Sequence, residues 1–256
     1  MSELDRGHVD RHNLAQIDYF ERAGKHAMQP TDTHYVRRQV DRLIAFGGLS
    51  PGDRVLDVGC GMGRYTLALA DRGLLVEGLD LSETLLERFR QFAAGRYDIP
   101  LYQGDVLDPP AGLRGPFDAI VGFFTLHHLH DVTGCLTAMR SLAKPGGRIV
   151  FLEPNPLNAL YYIQMALVPG MSWSGEKGIL NMREQKAFAA MRAAGLRDVA
   201  AERFGFLPPF VVNRPFGPRV EVLLERLPWQ RFLAFQLFRG DVAHQGARIG
   251  PASGLE

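Results

Sequence analysis

Residues 54–63, Arg-Val-Leu-Asp-Val-Gly-Cys-Gly-Met-Gly, decide the fold, because an apolar β-branched run passes directly into a glycine-rich turn. The run predicts a short buried strand. Gly59, Gly61 and Gly63 lack a Cβ, so the backbone can approach a ligand closely there. Helical periodicity resumes at Tyr65. The spacing is G-x-G-x-G, whereas dinucleotide-binding folds use G-x-G-x-x-G to seat a pyrophosphate on a helix N-terminus.

The same alternation of strand and helix continues along the chain. Strands are predicted at 54–58, 75–80, 100–104, 117–122, 148–153, 199–206 and 232–239, and helices at 33–46, 65–70, 82–94, 133–143, 183–194 and 219–227. Strands that alternate with helices indicate a mostly parallel sheet with helices on both faces. We therefore predict an α/β fold, Rossmann-like and doubly wound, in a single domain over 1–256.

The composition does not indicate a function, but it excludes some classes of partner and site. Lys plus Arg number 29 against 28 Asp plus Glu, so the net charge of +1 supplies no field to attract a polyanion, and nucleic acid is not an expected partner. The two cysteines lack the paired spacing of a zinc site, and no metal site is predicted. The polar N-terminus has no signal-peptide core, and no apolar run is long enough for stable membrane insertion. We expect a cytoplasmic protein of undetermined oligomeric state.

Acidic residues follow two of the predicted strands. Asp80 ends the strand at 75–80, where a carboxylate can accept both hydroxyls of a ribose. Asp105 follows the strand at 100–104 and can accept from an exocyclic amine, while Leu81 and Val106 can hold a planar base between them. The alternative interpretation is that either aspartate only caps the helix that follows it.

Five motifs resemble those of the class I S-adenosylmethionine-dependent methyltransferases, over about residues 36–196. They are VLDVGCGMGRYT (55–66), EGLDLS (77–82), GDVLD (104–108), FDAIVGFFTLHHL (117–129) and LAKPGGRIVFLEP (142–154). The resemblance implies a seven-stranded sheet with its last strand antiparallel, and S-adenosyl-L-methionine as cofactor. After position 155 the match is poor, in the part of the chain where acceptor choice is usually set in that family.

The resemblance also implies roles for individual residues. Asp57, Gly59 and Gly61 hold the methionine end of the cofactor, Asp80 the ribose, Asp105 and Val106 the adenine, and Phe123 flanks the sulfonium, with Tyr35 and Arg64 as weaker candidates for the methionine portion. Cys60 lies in the glycine loop as a small residue that fits, and without a His-Asp arrangement it is not a predicted nucleophile.

Catalysis is predicted at the ends of the fourth and fifth strands. Methyl transfer needs an acceptor lone pair held in line with the leaving sulfur, and an acceptor hydroxyl also benefits from a general base. His127 is the favoured base, with Glu153 beside it. His128 is expected to point elsewhere and His130 to lie at the surface. The alternatives are a buried histidine bonded to backbone and a Glu153 that supports the fold.

Segments outside the motifs are predicted to cover the site. The N-terminal helices within 1–48 are expected over the cofactor, and the insertions at 154–182 and 207–231 over the acceptor. Two aromatic groups there either line an apolar pocket or pack as core. They are Tyr161, Tyr162, Met165 and Trp173, and Phe204, Phe206, Phe210 and Phe216.

The sequence thus predicts a methyltransferase that acts on oxygen or carbon of a small, largely apolar metabolite such as a polyketide, quinone, isoprenoid or lipid intermediate. Two alternatives stay open: an NAD(P)-dependent oxidoreductase, in which Asp80 reads the adenosine ribose, and a catalytically silent S-adenosylmethionine-binding protein.

Overall fold

The computed structural model describes residues 3–23, 28–167 and 173–244. Seven strands in that part of the chain form one sheet in the order β3-β2-β1-β4-β5-β7-β6. They are β1 (Arg54–Val58), β2 (Leu75–Asp80), β3 (Leu101–Gln103), β4 (Phe117–Phe123), β5 (Ala143–Pro154), β6 (Arg197–Phe204) and β7 (Phe235–Asp241). β1 to β5 are parallel, and β7 is antiparallel to both β5 and β6. The predicted Rossmann-like doubly wound fold is confirmed.

The helices lie between the strands and at the N-terminus. They are α1 (Glu3–Ala23), α2 (His34–Gly47), α3 (Thr66–Ala70), α4 (Glu83–Ala93), α5 (Val132–Leu142), α6 (Ala159–Leu167), α7 (Trp173–Glu176), α8 (Glu184–Ala193), α9 (Pro209–Val212) and α10 (Gly217–Glu225). Side chains cap several of them where the sequence offers a hydroxyl or carboxylate: Thr33 at α2, Ser82 at α4 and Asp131 at α5. Among the described residues, none of the helices combines the length and apolar character that a bilayer crossing requires.

The sheet has a hydrophobic core on each face. Val55, Val121 and Val150 pack with α2 on one face, and their chain neighbours Leu56 and Ile120 pack with α5 and α8 on the other. Alternate residues of a strand point to opposite faces, so strands covered on both sides read as continuous apolar runs. This arrangement leaves the carboxyl ends of β1 to β5 together at one edge, where the motif residues lie.

The predicted boundaries differ from the observed ones mainly outside the parallel strands. The strand predicted at 148–153 begins earlier, at Ala143, because residues 143–147 continue alongside β4 with an irregular register, and Gly146 (φ +77°) turns within it. The strands predicted at 199–206 and 232–239 are displaced by a few residues. The expectation of N-terminal helices within 1–48 gives no bounds for α1, and residues 24–27 and 168–172 of the predicted covering segments lie outside the described residues.

Candidate cofactor site

The glycines of the turn after β1 differ in how much space surrounds them. Gly59 (φ +75°) and Gly63 (φ +84°) adopt a left-handed backbone, and an added Cβ would come within 2.4 Å of the Thr125 side chain and 2.6 Å of the Phe89 ring, respectively. At Gly61 (φ +52°) the nearest atom to an added Cβ is the Met28 methyl, at 3.4 Å. Gly59 and Gly63 therefore permit close packing, whereas a Cβ at Gly61 would meet no atom closer than this methyl.

Asp80, at the end of β2, is tied to this turn. Its carboxylate accepts hydrogen bonds from the Gly61 N–H at 2.7 Å and from the Ser82 N–H at 2.9 Å. Burial raises the pKa of Asp80, an effect that these backbone N–H groups partly offset. A half-buried carboxylate with free lone pairs is suited to accept further hydrogen bonds from a ligand.

Asp105 follows β3 and is bonded to the N-terminal helix. One carboxylate oxygen accepts from the Leu107 N–H at 2.9 Å, and the other accepts from the Asn13 side-chain amide at 2.6 Å. Asn13 belongs to α1, so an amide N–H from the covering helix occupies one acceptor position of Asp105. The bond shows that this carboxylate can receive an amino-type donor from the cavity side.

A cavity lies between these carboxylates, the glycine turn and α1. Nine of the predicted cofactor residues line it, namely Gly59, Cys60, Gly61, Arg64, Asp80, Leu81, Asp105, Val106 and Phe123. Much of the remaining wall is apolar, with Ile17 and Phe20 from α1, Leu85 from α4, and Leu107, Phe124 and Leu129 from the loops after β3 and β4. Burial raises the pKa of the Cys60 thiol well above its ordinary value, so the thiol stays neutral.

Two predicted cofactor residues do not line this cavity. Asp57 is buried beneath the turn, where one carboxylate oxygen accepts from the Thr66 hydroxyl at 2.6 Å and the other has no hydrogen-bond partner among the described residues. Burial raises the pKa of Asp57 to about 7, against the opposing effect of the Thr66 bond. Tyr35 packs edge-on against Phe235, with ring centroids 5.9 Å apart.

Two of the three histidines after β4 differ from expectation. His128 lines the cavity, although the sequence predicts that it points elsewhere, and His127 does not line it. His130 is exposed, as predicted, and also lines the cavity. The segment Leu126–His128 forms a 3₁₀ turn, in which successive side chains are rotated by about 120°. That rotation directs His127 under the sheet edge and His128 toward the cavity.

His127 is the centre of a buried polar cluster. Its Nδ1 lies 2.5 Å from Glu153 Oε2, and its Nε2 lies 3.3 Å from Glu176 Oε2. Burial would lower the pKa of His127, but the two carboxylates outweigh it and raise the pKa to about 9. Glu153 also accepts from the backbone N–H groups of Thr125 and Leu126, at 3.0 and 2.7 Å. His127 is therefore cationic at neutral pH, with both ring nitrogens engaged.

Glu176 connects this cluster to the covering helices. It accepts hydrogen bonds from the hydroxyls of Tyr19 in α1 and Tyr161 in α6, at 2.8 and 2.6 Å. Burial opposes ionisation, yet hydrogen bonds and the histidine charges lower the pKa of Glu176 overall. His127, His128 and Glu176 also each offer a potential metal-ligand atom, all within 4.8 Å of one another. The bonds from both tyrosines and His127 already satisfy the Glu176 carboxylate.

Several cavity residues were missed from the sequence. The α1 residues Asn13, Gln16, Ile17 and Phe20 line the cavity but precede every motif, and the prediction of N-terminal helices over the cofactor named none of them. Tyr65 lines it as well, and its ring stacks on Phe123 with centroids 4.2 Å apart. The position of this aromatic residue directly after the glycine turn indicates a cavity residue, and the prediction did not include it.

Known proteins resemble this chain in sequence. The family model for methyltransferase domains matches residues 31–201. A ubiquinone biosynthesis O-methyltransferase of Alkalilimnicola ehrlichii is 30% identical over 174 residues, which are 63% of this chain and 68% of that protein. Its counterpart in Coxiella burnetii is 29% identical over 161 residues, 59% of this chain and 65% of that protein. The chain thus spans about two thirds of the length of these relatives.

Solved structures share the fold at lower identity. The [4+2]-cyclase SpnF has a TM-score of 0.59 at 20% identity, covering 82% of each chain. Phosphoethanolamine N-methyltransferase 2 of Haemonchus contortus, crystallised with S-adenosyl-L-methionine, has a TM-score of 0.57 at 19% identity, covering 81% of this chain and 52% of that one. The chain belongs to the methyltransferase-domain family, and with it to the class I S-adenosylmethionine-dependent methyltransferases that its motifs resemble.

Proposed function

We propose that this protein transfers the methyl group of S-adenosyl-L-methionine to oxygen or carbon of a small, largely apolar molecule, leaving S-adenosyl-L-homocysteine. The observation that carries the proposal is the cavity at the carboxyl edge of the sheet, where Asp80, Asp105 and the Gly61 backbone converge. Parallel α/β sheets bind ligands at this edge.

The polar groups of the cavity fit the adenosine half of the cofactor. Asp80 offers acceptor positions for the ribose hydroxyls, and Asp105, bonded to the Asn13 amide, offers one for the adenine amine. Leu81 and Val106 supply apolar walls for the base. When bound, the cofactor supplies an electrophilic methyl group, and these residues only fix its position.

Asp57 fits the methionine half. A buried carboxylate oxygen without a donor is costly, and the α-ammonium group of the methionine end would supply a donor and a charge. We propose that Asp57 acts from beneath the turn in this way, with Gly59, Gly61 and Arg64 around the methionine chain. Phe123 and its stacking partner Tyr65 offer aromatic faces for the sulfonium.

An apolar acceptor is favoured by the rest of the cavity wall. Phe20, Phe124 and Leu129 give it a low-dielectric lining that suits a quinone, polyketide, isoprenoid or lipid intermediate. The names of the relatives from Alkalilimnicola and Coxiella, both ubiquinone biosynthesis O-methyltransferases, agree with an oxygen acceptor of this kind.

His127 and Glu153 remain our candidates for proton removal from an acceptor hydroxyl. In the observed arrangement His127 is held by Glu153 and Glu176, so its Nε2 can accept a proton from the acceptor only after it has separated from Glu176 and released its own proton to solvent. Glu176 belongs to the 154–182 segment, and we propose that acceptor binding displaces it. Helix α1 and the segments 154–182 and 207–231 would then serve as covers of the site.

The central experiment separates the three candidate functions. Calorimetry should show binding of S-adenosyl-L-homocysteine and none of NADH, and the reverse result would favour an oxidoreductase. Incubation with methyl-labelled cofactor and a panel of hydroxylated quinones and polyketides should give a labelled, organic-extractable product. Cofactor binding without transfer to any acceptor of the panel would favour the silent binding protein.

A further inference from the structure

The segment 209–232 carries an unusual concentration of exposed apolar side chains. Its seven exposed large apolar residues are Phe210, Phe216, Val220, Val222, Leu223, Trp229 and Phe232. Phe210 is 73% exposed and Leu223 is 62% exposed. Isolated exposed apolar residues are ordinary, but a run of them along one segment marks an interaction surface. We refer to the exposed side chains of 209–232 as the α9–α10 surface.

Helix α10 shows that this surface has a definite outward face. Gly217 and Glu221 are buried, whereas Arg219, Leu223 and Arg226, at spacings of four and three residues, are exposed on the opposite side. An amphipathic helix normally turns its apolar stripe to the core. Here the inward face contains a glycine and a glutamate, and the outward face contains leucine between two arginines.

The acidic residues of the segment are turned inward and engaged. Glu221 accepts from the backbone N–H groups of Phe206 and Leu207, each at 2.9 Å. Glu225 accepts from the Arg38 guanidinium and from the Gly205 N–H, each at 2.5 Å. Negative charge is thereby removed from the outward face.

Positive charge remains on the outward face of the α9–α10 surface. Arg214, Arg219, Arg226 and Arg231 are exposed, and in the described part of the chain none of them forms an ion pair. Arg231 lies over the Phe232 ring, with its guanidinium carbon 4.9 Å from the ring centroid. Arginines interleaved with large apolar side chains are the composition of a helix that lies on an anionic lipid surface.

The surface is anchored to the fold and continues beyond the segment. The Asn158 side-chain amide donates to the Phe232 carbonyl at 2.7 Å, and that of Asn155 donates to the Leu233 carbonyl at 2.7 Å. These bonds bring the start of α6 beside the end of the α9–α10 surface. Leu157, Leu160 and Ile163 are exposed there, which extends the apolar area.

We infer that the α9–α10 surface docks the protein on the headgroup region of an anionic phospholipid bilayer. The apolar side chains enter the boundary between headgroups and acyl chains, and the four arginines contact lipid phosphates. An anionic lipid surface is favoured because the arginines of this surface face outward, while Glu221 and Glu225 are engaged on the inward side. The inference does not depend on the acceptor proposed above.

Vesicle sedimentation with the full chain tests the docking. We expect the protein to pellet with vesicles of phosphatidylglycerol and phosphatidylcholine in equal parts, to bind vesicles of phosphatidylcholine alone much less, and to be released by high salt. The double variants Phe210→Ser with Leu223→Ser, and Arg219→Glu with Arg226→Glu, should each lower the partition coefficient by about tenfold or more.

A matched control variant replaces one exposed aromatic residue and one exposed arginine outside the α9–α10 surface. Phe92, near the end of α4, is 43% exposed, and Arg197 is exposed at the start of β6, at the opposite edge of the sheet from α9. The control variant Phe92→Ser with Arg197→Glu should sediment like the wild-type protein. Thermal unfolding of all variants shows whether the fold is retained.

Three results would overturn the docking. The first is a wild-type protein that stays in the supernatant with anionic vesicles. The second is an equal loss of vesicle binding in the control and surface variants. The third is concentration-dependent self-association that the surface variants abolish, without any vesicle binding. The last result would identify a protein interface. Because sedimentation requires no turnover, its failure is distinct from failure of the proposed activity.

Discussion

Replacement of Asp80 by Asn should weaken cofactor binding by about two orders of magnitude. The carboxylate accepts backbone N–H bonds from Gly61 and Ser82, one on each oxygen, which leaves further lone pairs for two ribose hydroxyls. An amide keeps one acceptor oxygen and turns an NH₂ group toward donors. Hydrogen bonds to a charged group contribute about 1.5–3 kcal/mol each, so a net loss of about 3 kcal/mol corresponds to about a hundredfold in Kd.

Isothermal titration with S-adenosyl-L-homocysteine measures this change directly. Asp98→Asn is the matched control, since Asp98 is exposed after α4 and should leave Kd unchanged. Urea unfolding of both variants separates lost affinity from lost structure. An Asp80→Asn protein that folds and binds within about threefold of the wild-type Kd would refute the assigned role of the carboxylate.

Three further outcomes follow from the same geometry. Gly63→Ala should destabilise the fold by about 2–4 kcal/mol in urea unfolding, because the left-handed backbone and the Phe89 ring both oppose a Cβ; an unchanged midpoint would contradict this. Since the pKa of His127 is raised to about 9, its stabilisation is present below its ordinary pKa of about 6.5 and is lost as pH rises through about 9. The wild-type urea midpoint should therefore fall over that pH window, and His127→Gln should flatten the dependence of the midpoint on pH. If the midpoints of the two proteins changed in parallel with pH, His127 would not carry the stabilising charge. Asp57, with a pKa of about 7, should release a proton when the cationic ammonium group binds near pH 6.5, so the binding enthalpy should vary with buffer ionisation enthalpy in the wild type and not in Asp57→Asn.

The parallel half of the fold was predictable because its strands are buried on both faces. Val55 and Leu56 contact different cores, so the strand is apolar on both faces at its centre, and its end is marked by Gly59. The cavity residues at these strand ends, including Asp80 and Asp105, followed from position alone. Parallel strands place their carboxyl ends at one edge whatever the rest of the chain does.

The histidine orientation and the contacts of α1 were not predictable by the same reasoning. A 3₁₀ turn rotates successive side chains differently from a strand or an α-helix, so its presence decided which histidine faces the cavity. Helix α1 is polar along most of its length, and its contacts with Asp105 and Glu176 are single hydrogen bonds. Such contacts leave no hydrophobic period in the sequence.

The inward orientation of the two α10 glutamates was also not predictable from the sequence. Their partners, Arg38 and the backbone of residues 205–207, lie far away or in another element, so the sequence shows two ordinary helix acids. Only the three-dimensional contacts reveal that the outward face retains arginines and apolar residues.

A crystal structure of the complex with S-adenosyl-L-homocysteine would show where the cofactor binds. We expect its ribose hydroxyls on Asp80, its adenine amine on Asp105 in place of Asn13, and its methionine end against the Gly61 backbone. Density for the ligand away from the carboxyl edge of β1, β2 and β3, or a protein that shows no affinity for it in solution, would refute the proposed cofactor site.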